Sequence, residues 1–461
     1  MLDNGIRVVS DDVPGHFAAF GVYVDAGSRY ETKGFSGISH MLDRISFKAT
    51  ENLTSEQIQN QVEEMGGNLM SHSSREMIQY QGTVYHQDVE KIAYLFAEMT
   101  QKPLVLQSEI DEQKISTSYE IENLISNPET YIPELLHSVA FGGKTLGKPF
   151  LCTPRTLNTM NAARIKEYLS KMFIPERMVI AASGLDHEKV VDLANKYYSS
   201  IKAPIKQEDQ ARSSIQKITE KIFHPSTSFE PDNTSAVYHG GVELENNDIT
   251  EFTQVYVGVN GVKITDEDLY PLATLQALLG GGSSFSAGGP GKGMHSRLYR
   301  TVLNQYGWSQ SCQSFNHSYK DGGIFGISGS CPADYSLDML HVIGYSLASV
   351  CDPKRISKVE LERAKNQLKN NLLMNLESRL IRLEDMGQQV LVAGYRVSPE
   401  IVCNKIEALT QKDLARVASK LFLSSEVVPT VIGYGRNLEP LRDAQQILAK
   451  FGIGGVNSYK A

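Results

Sequence analysis

The strongest constraint on the fold of this chain is a segment that occurs twice. Ile165–Gly184 (IKEYLSKMFIPERMVIAASG) aligns without gaps on Leu414–Gly433 (LARVASKLFLSSEVVPTVIG), and the offset from Gly184 to Gly433 is 249 residues. Each copy has helical spacing, then a short break, then an apolar strand. Such an offset predicts two halves of like build. The length of 461 residues agrees, because it exceeds that of a single core.

Strand-like and helix-like segments alternate along both halves, which predicts an α+β fold. A polar stretch without clear periodicity is the best candidate for a linker, so we expect a first domain at 1–205, a linker at 206–234 and a second domain at 235–461. The predicted strands include Phe17–Asp25 and Met77–Tyr85, and the predicted helices include Gly37–Phe47, Ser55–Met65, Asp88–Met99, Ser108–Leu124, Leu272–Leu279, His295–Leu303 and Leu361–Leu391.

Composition excludes several classes of protein. Hydrophobic residues make up 41% and charged residues 21%, as in ordinary globular chains, and no apolar run reaches the roughly 18–20 residues of a membrane-spanning helix. The 45 basic and 53 acidic residues give a net charge of −8, which argues against nucleic acid as a partner. The five cysteines form no CxxC pair, which argues against a disulfide framework. The first residues resemble no targeting signal, so we expect either no presequence or one already removed.

One helix carries the frame of a metal site without its full chemistry. The run Ser39-His40-Met41-Leu42-Asp43-Arg44 has the spacing of H-x-x-E-H, in which two histidines bind zinc and a glutamate activates water. Arg44 stands at the second histidine position and has no lone pair for a metal. Asp43 is one methylene shorter than glutamate, which places its carboxylate roughly 1–1.5 Å off target. Only His40 keeps a ligand's chemistry, and it can equally be one of eleven histidines placed on a helix by chance.

The neighbourhood of this helix resembles the M16 (pitrilysin-type) metallopeptidases. The resemblance runs through Gly34–His40, Ser46–Thr50, Glu64–Asn68, Ser73–Glu76 and Ser118–Glu122. It implies two M16-type halves, each a mainly antiparallel sheet packed by helices, and it places the family's distal glutamate ligand at Glu120. Because one ligand is lost and the base is altered, zinc hydrolysis by this chain is not expected. We expect Arg44 to pair with Glu120, unless Glu120 is simply a solvated residue of an exposed helix.

The glycine-rich segment Leu278–Met294 in the second half is the most unusual part of the chain. Neither phosphate-binding pattern fits it: Ser286 and Gly293 stand where a Walker A motif needs glycine and Ser or Thr, and Phe285 stands at the third glycine of the dinucleotide pattern. The alternatives are a slack connection between two helices and a functional loop, and long loops in compact domains are usually functional. We expect this loop to be mobile, since ordering glycine is entropically unfavourable.

This loop, with Ser296–Arg300 after it, resembles that of the α subunits of heterodimeric mitochondrial processing peptidases, a group within the M16 family. The resemblance implies a matrix protein without a cofactor of its own, paired with a catalytic β subunit that holds zinc, and basic amphipathic presequence peptides as substrates. The residues it implies for substrate binding are Gly280, Gly281, Gly282, Ser283, Ser284, Phe285, Ser286, Ala287, Gly288, Gly289, Pro290, Gly291, Lys292 and Gly293. With Lys292 as its one charge, the loop is expected to act through shape, main-chain groups and Phe285.

Arginines of a basic peptide need carboxylates. Glu377, Glu384 and Asp385 lie near i, i+7, i+8 on the predicted helix Leu361–Leu391, which would put them on one face. Ordinary solvation of an amphipathic helix explains them equally well.

Three functions stay open on the sequence alone. The first is a non-catalytic recognition subunit of a processing metalloendopeptidase. The second is an active zinc peptidase, which would need another ligand in place of Arg44. The third is a structural core protein of the respiratory bc1 complex, against which a complete glycine loop argues.

Overall fold

A computed structural model describes residues 1–201, 228–285, 293–424 and 426–454 of the chain. These residues form two compact units. The first unit is drawn from Met1–Asn123, Lys148–Thr234 and Asn375–Arg396, and the second from Leu124–Gly147, Ser235–Met374 and Val397–Ala461. In the part of the chain described, no helix is both long and apolar enough to cross a membrane.

The secondary structure confirms the predicted alternation. The strands are β1 (Arg7–Asp11), β2 (Phe17–Val24), β3 (Asn68–Ser73), β4 (Ile78–Tyr85), β5 (Met178–Ser183), β6 (Gly241–Asn246), β7 (Thr253–Asn260), β8 (Gly281–Ser283), β9 (Ser311–Ser318), β10 (Gly323–Cys331) and β11 (Thr430–Gly435). The helices are α1 (Ile38–Arg44), α2 (Ser55–Met65), α3 (Val89–Gln101), α4 (Gln107–Ser126), α5 (Pro128–Ala140), α6 (Pro154–Thr159), α7 (Ala162–Met172), α8 (His187–Tyr198), α9 (Leu269–Leu279), α10 (Ser336–Ser349), α11 (Lys358–Glu377), α12 (Arg379–Ala393), α13 (Pro399–Glu407), α14 (Gln411–Phe422) and α15 (Ala444–Ala449). The predicted helix His295–Leu303 contains a π-helical turn at Tyr299–Leu303.

The two sheets share one topology. The strand order is β1-β5-β2-β4-β3 in the first unit and β6-β11-β7-β10-β9-β8 in the second. In each sheet the first pair, β1 with β5 and β6 with β11, is parallel, and the other pairs are antiparallel. The predicted fold of two like halves, each with a mainly antiparallel sheet, is therefore confirmed, and β8 adds an edge strand to the second sheet.

Helices cover both faces of the first sheet. On β2, Phe20 and Val22 point into the main core of the unit, where they pack with α1 and α3. The alternate residues Ala19 and Tyr23 point to the other face and pack with Leu383 of α12. Because successive side chains of a strand alternate between faces, burial on both faces explains why β2 reads as a nearly continuous apolar run.

The second sheet is covered in the same way. On β7, Val255 and Val257 enter the main core with Leu275 of α9. Tyr256 faces the opposite side, in the cluster that contains Leu136 of α5. Each sheet thus has one helix of the other half of the sequence on its second face: α12 in the first unit and α5 in the second.

The compact units differ from the predicted domain boundaries in these two helices, because each helix buries its apolar side on a sheet far away in sequence. The described part of the predicted linker (206–234) also differs from the prediction, because it is not separate from the first unit. Residues 206–227 lie outside the described residues, but the rest of the linker belongs to the first unit. There the Phe229 ring is fully buried, with its centroid 5.0 Å from that of Phe35 and 4.9 Å from that of Tyr168.

The ungapped alignment of the two copies matches the ends of the helices to within one residue, but it does not match the strands. Helices α7 and α14 end one residue apart in the alignment, at Met172 and Phe422. The connection to the next strand has five residues (173–177) in the first copy and seven (423–429) in the second. As a result Gly184 follows β5, whereas Gly433 lies inside β11.

Candidate functional site

Helix α1 is held in place from its amino-terminal end by a buried carboxylate. One Glu31 oxygen accepts from the Gly37 amide at 2.6 Å, and the other accepts from the amide and hydroxyl of Ser39 at 2.9 and 2.6 Å. Burial raises the pKa of Glu31 to about 7, although these hydrogen bonds oppose the rise. A carboxylate is well placed there, since the first amides of a helix lack partners within it. This contact fixes the part of the chain that carries His40.

His40 is 1% exposed and faces Glu120 of helix α4. Its Nε2 lies 3.1 Å from Glu120 Oε2, and its ring meets that of Phe150 edge-on at 5.8 Å. Burial, and secondly Arg44, lowers the pKa of His40 to about 4, so the imidazole is neutral at pH 7. The Nδ1 atom has no hydrogen-bond partner among the described residues, whereas Nε2 lies within reach of both Glu120 and Arg44.

Arg44 lies against the same two residues. Its Nε is 3.5 Å from Glu120 Oε1 and 3.3 Å from His40 Nε2. The expected pairing of Arg44 with Glu120 is therefore confirmed. With Arg44 41% exposed and Glu120 34% exposed, the pair contributes little to stability, about 0–1 kcal/mol. Its importance is positional, because a cationic group contacts both side chains that would have to hold a metal.

Asp43, at the position of the catalytic glutamate, is engaged elsewhere. Its Oδ1 accepts a hydrogen bond from the hydroxyl of Ser71 on β3, and its main-chain oxygen lies 3.2 Å from the same hydroxyl. The side chain is buried. Its carboxylate is thus bound to the neighbouring strand, which agrees with the expectation that it cannot serve as the base of a peptidase.

The residues do not fit a zinc ion. Two ligands about 2.0–2.1 Å from a tetrahedral zinc lie roughly 3.3 Å apart, and the His40–Glu120 separation of 3.1 Å is close to that value. A third protein ligand is missing, since Arg44 offers only donors. Within the described ranges, no group of three or more His, Cys, Asp or Glu side chains is arranged to hold a metal.

The first limb of the glycine-rich loop is a strand, not a loop as the sequence predicted. Gly281–Ser283 form β8, with Gly281 opposite Gln313 and Gly282 opposite Cys312 of β9. A Cβ on Gly281 would lie 2.0 Å from the Cys312 carbonyl oxygen, and its φ is +101°. Glycine is required there for close approach and backbone conformation, so part of the glycine content serves sheet pairing.

The second limb of the loop, residues 293–297, is anchored by an ion pair in which Arg297 is buried and Glu360 is partly buried. Arg297 contacts Glu360 of α11 through Nε at 3.4 Å and Nη2 at 3.1 Å, and it also donates to the Arg355 carbonyl at 2.9 Å. The Ser296 hydroxyl accepts from the Gly281 amide at 3.1 Å, which ties the two limbs together. The base of the loop is therefore closed and fixed at both ends.

Gly280, Ser284, Phe285 and Gly293 are the other predicted loop residues that the structure describes. Phe285 is 81% exposed, so its side chain is available for an apolar contact. The predicted binding residues Ser286, Ala287, Gly288, Gly289, Pro290, Gly291 and Lys292 lie outside the described residues, as does the expectation of mobility that concerns them.

The three acidic candidates do not share one helix face. The predicted helix Leu361–Leu391 is broken at Ser378, whose ψ is 120°, so that Glu377 ends α11 and the other two lie on α12. Glu384 accepts from Gln81 Nε2 at 3.3 Å, and Asp385 accepts from Gln389 Nε2 at 2.9 Å. Glu377 is exposed. The spacing argument is thus wrong, and a role of these residues in peptide binding stays a prediction.

The contacts of Glu31, Ser71 and Arg297 were not foreseen from the sequence. Each joins residues that are far apart along the chain or carry no motif, so pattern spacing gave no signal for them. The run of amides on α11 (Asn366, Gln367, Asn370 and Asn371) does carry a sequence signal, the i, i+1, i+4, i+5 spacing of one helix face.

Comparison with known families and proteins agrees with this geometry. Residues 7–154 match the family model described as Insulinase (Peptidase family M16), and residues 159–368 match the Peptidase M16 inactive domain. The mitochondrial-processing peptidase subunit alpha of Neurospora crassa is 39% identical over 91% of this chain and 82% of its own length. The human subunit alpha is 33% identical over 93% of this chain and 80% of its own.

A chain of the structure titled "Complex III2 from Candida albicans, Inz-5 bound" superposes with a TM-score of 0.78 at 20% identity, covering 98% of both chains. At that identity the likeness shows the fold alone. The identities to the subunit alpha sequences are higher and also extend over most of both chains. This chain therefore belongs to the M16 peptidase family, in its group of mitochondrial-processing peptidase alpha subunits.

Proposed function

We propose that this chain is the non-catalytic, substrate-recognition subunit of a heterodimeric processing peptidase of the mitochondrial matrix, which removes presequences from imported precursor proteins. The observation that carries the proposal is the contact of Arg44 with both His40 and Glu120. A site with a permanent cation in this place cannot hold and activate a metal-bound water. The relatives are named as alpha subunits of a mitochondrial-processing peptidase, which supports the presence of a second subunit.

Hydrolysis then belongs to a partner, a β subunit that holds zinc and supplies the activated water. This chain contributes a surface that captures the substrate. Presequences are basic and amphipathic, and the net charge of −8 favours their approach. The glycine-rich loop fits the task because its base is fixed by β8 and by Arg297, while Phe285 is exposed.

The role of the loop is tested by deleting residues 285–292, which leaves β8 and the Ser296–Gly281 contact in place. The affinity of the reconstituted heterodimer for a basic amphipathic peptide is measured by fluorescence anisotropy. We expect roughly a tenfold or greater loss of affinity, because the apolar contact of Phe285 and the main-chain contacts disappear together. Thermal unfolding and heterodimer formation serve as controls and should not change.

Unaltered peptide affinity would exclude the loop from substrate binding. Loss of the folded state or of the heterodimer would show that the loop is structural.

A further inference from the structure

A cavity of about 690 Å³ lies within the second unit, beside the second limb of the glycine-rich loop. One wall is formed by the end of α9 and the limb itself, where Leu278 and Met294 contribute apolar surface. The opposite wall is one face of α11. The volume falls in the range of ordinary ligand pockets, about 300–1,000 Å³.

The α11 wall is a row of amide side chains. Asn366, Gln367, Asn370 and Asn371 all line the cavity and are exposed. Their spacing of i, i+1, i+4 and i+5 places them on one face over about 7.5 Å of helix. Among the described residues, the side-chain amides of Asn366, Gln367 and Asn371 have no hydrogen-bond partner. The side-chain amide of Asn370 contacts only the Met374 sulfur, at 3.1 Å. Each amide can both donate and accept.

The charges of the cavity do not favour arginine. Glu360 is the carboxylate of the lining, and it is already bound by the buried Arg297. Arg363 adds a positive charge to the same wall. A basic side chain gains nothing from such a surface, so the cavity suits an uncharged part of a ligand.

We propose that this cavity binds the main chain of an extended segment of the substrate peptide, with the α11 amides exchanging hydrogen bonds with its N–H and C=O groups. The proposal rests on the proposed function and names a part of the substrate for it. The amide row matches two to three residues of extended chain, at about 3.3 Å per residue. A helical peptide would satisfy its own main-chain groups and leave the amides nothing to bind. An apolar side chain of the segment packs on Leu278 and on Met294, whose flexible thioether adapts to different shapes.

The hydrogen bonds of such a site do not select a sequence, since every residue except proline has the same main-chain groups, and only the apolar contact with Leu278 and Met294 is selective. Its hydrogen bonds to uncharged main-chain groups supply affinity that salt screens little.

The test uses the reconstituted heterodimer and a basic amphipathic peptide, with dissociation constants measured at about 0.05 and about 0.5 M salt. For the double variant Asn366→Ala/Asn371→Ala we expect a roughly three- to tenfold weaker affinity, by the same factor at both salt concentrations. Asn366→Asp/Asn371→Asp should also bind more weakly at high salt, because it loses the amide donors. Asn375→Asp, on the same helix but outside the cavity lining, is the matched control and should bind like wild type.

Wild-type affinity of the alanine variant would overturn the proposal. So would tighter binding by the aspartate variant at both salt concentrations, which would show that the cavity accepts arginine side chains. If the wild-type heterodimer itself fails to bind the peptide, the proposed function fails together with this inference.

Discussion

Arg44 is the single side chain on which the interpretation of the first unit depends. The separation of His40 and Glu120 is close to that of two zinc ligands, so the scaffold of a metal site persists around it. A guanidinium cannot be deprotonated in proteins and presents no lone pair. The arginine at this position therefore accounts for the loss of a metal ligand within a preserved geometry.

The first prediction restores the missing ligand. Arg44→His places an imidazole four residues after His40 on the same helix face, where both rings and Glu120 can reach one ion. We expect the variant chain to bind about one zinc per molecule after dialysis, measured by atomic emission, and the wild type to bind none. Arg44→Gln, which removes the charge without supplying an imidazole, is the control. Zinc bound by the wild type, or by neither the wild type nor Arg44→His, would contradict this account.

A second prediction concerns Glu31, whose pKa is raised by burial from its ordinary value of 4.5 to about 7. Below pH 4.5 the carboxyl is protonated in both the folded and the unfolded state. Between pH 4.5 and 7 the folded state keeps a proton that the unfolded chain releases, so the free energy of unfolding falls as pH rises, by about 3 kcal/mol in total.

Guanidinium denaturation of the wild type and Glu31→Gln across this pH range measures the effect as a difference between two curves. The subtraction also removes the contribution of His40, whose lowered pKa acts with the opposite sign. Parallel curves would show that Glu31 titrates normally.

At this scale the motif spacing predicted the positions of His40, Asp43 and Arg44, because a helix fixes i and i+4 on one face. Glu120 followed only from the resemblance to the M16 family. The partners that complete their environment, such as Ser71 and Glu31, come from strands and turns. Their contacts depend on how the elements pack, which spacing along the chain does not encode.

Among the elements, the glycine-rich segment departs most from its prediction. The glycine content predicts a mobile loop. Gly281 is instead fixed in a β-ladder, where the two strands approach so closely that only glycine fits. The same composition therefore serves both rigid pairing and an exposed loop, and composition alone does not separate the two.

The third prediction follows from that close approach. Gly281→Ala puts a methyl group into the Cys312 carbonyl and strains a φ of +101°, so we expect the second unit to lose about 2 kcal/mol or more of stability. Gly307→Ala is the matched control, since a Cβ there has no atom within 4 Å and should change stability by less than about 0.5 kcal/mol. Thermal unfolding of both variants gives the comparison. Equal stability of the two would show that β8 does not pair with β9 in solution.

Helices α11 and α12 show a limit of periodicity. The apolar spacing runs through both, but Arg379 donates to the carbonyls of Val13 and Pro14, and Arg382 pairs with Asp11 at 3.4 Å. These contacts hold α12 on the first sheet and turn the chain at Ser378. Tertiary contacts thus overrode a local pattern that favoured one long helix.

Across the whole molecule, the repeat predicted two like halves, and the shared strand order confirms them. It did not predict that α5 and α12 pack on sheets of the opposite half of the sequence. Both helices are amphipathic, and an apolar face read from sequence does not tell which sheet will cover it. The units can therefore not be cut at one position: truncation after residue 205 would remove α12 and expose one face of the first sheet.

The most direct test of the central claim is cleavage of a presequence peptide by three preparations: this chain alone, a catalytic β subunit alone, and the two mixed, each with its bound zinc measured. We predict cleavage by the mixture, at a rate well above that of the β subunit alone, and neither cleavage nor bound zinc for this chain by itself. Proteolysis by the isolated chain together with a stoichiometric metal ion would contradict the account.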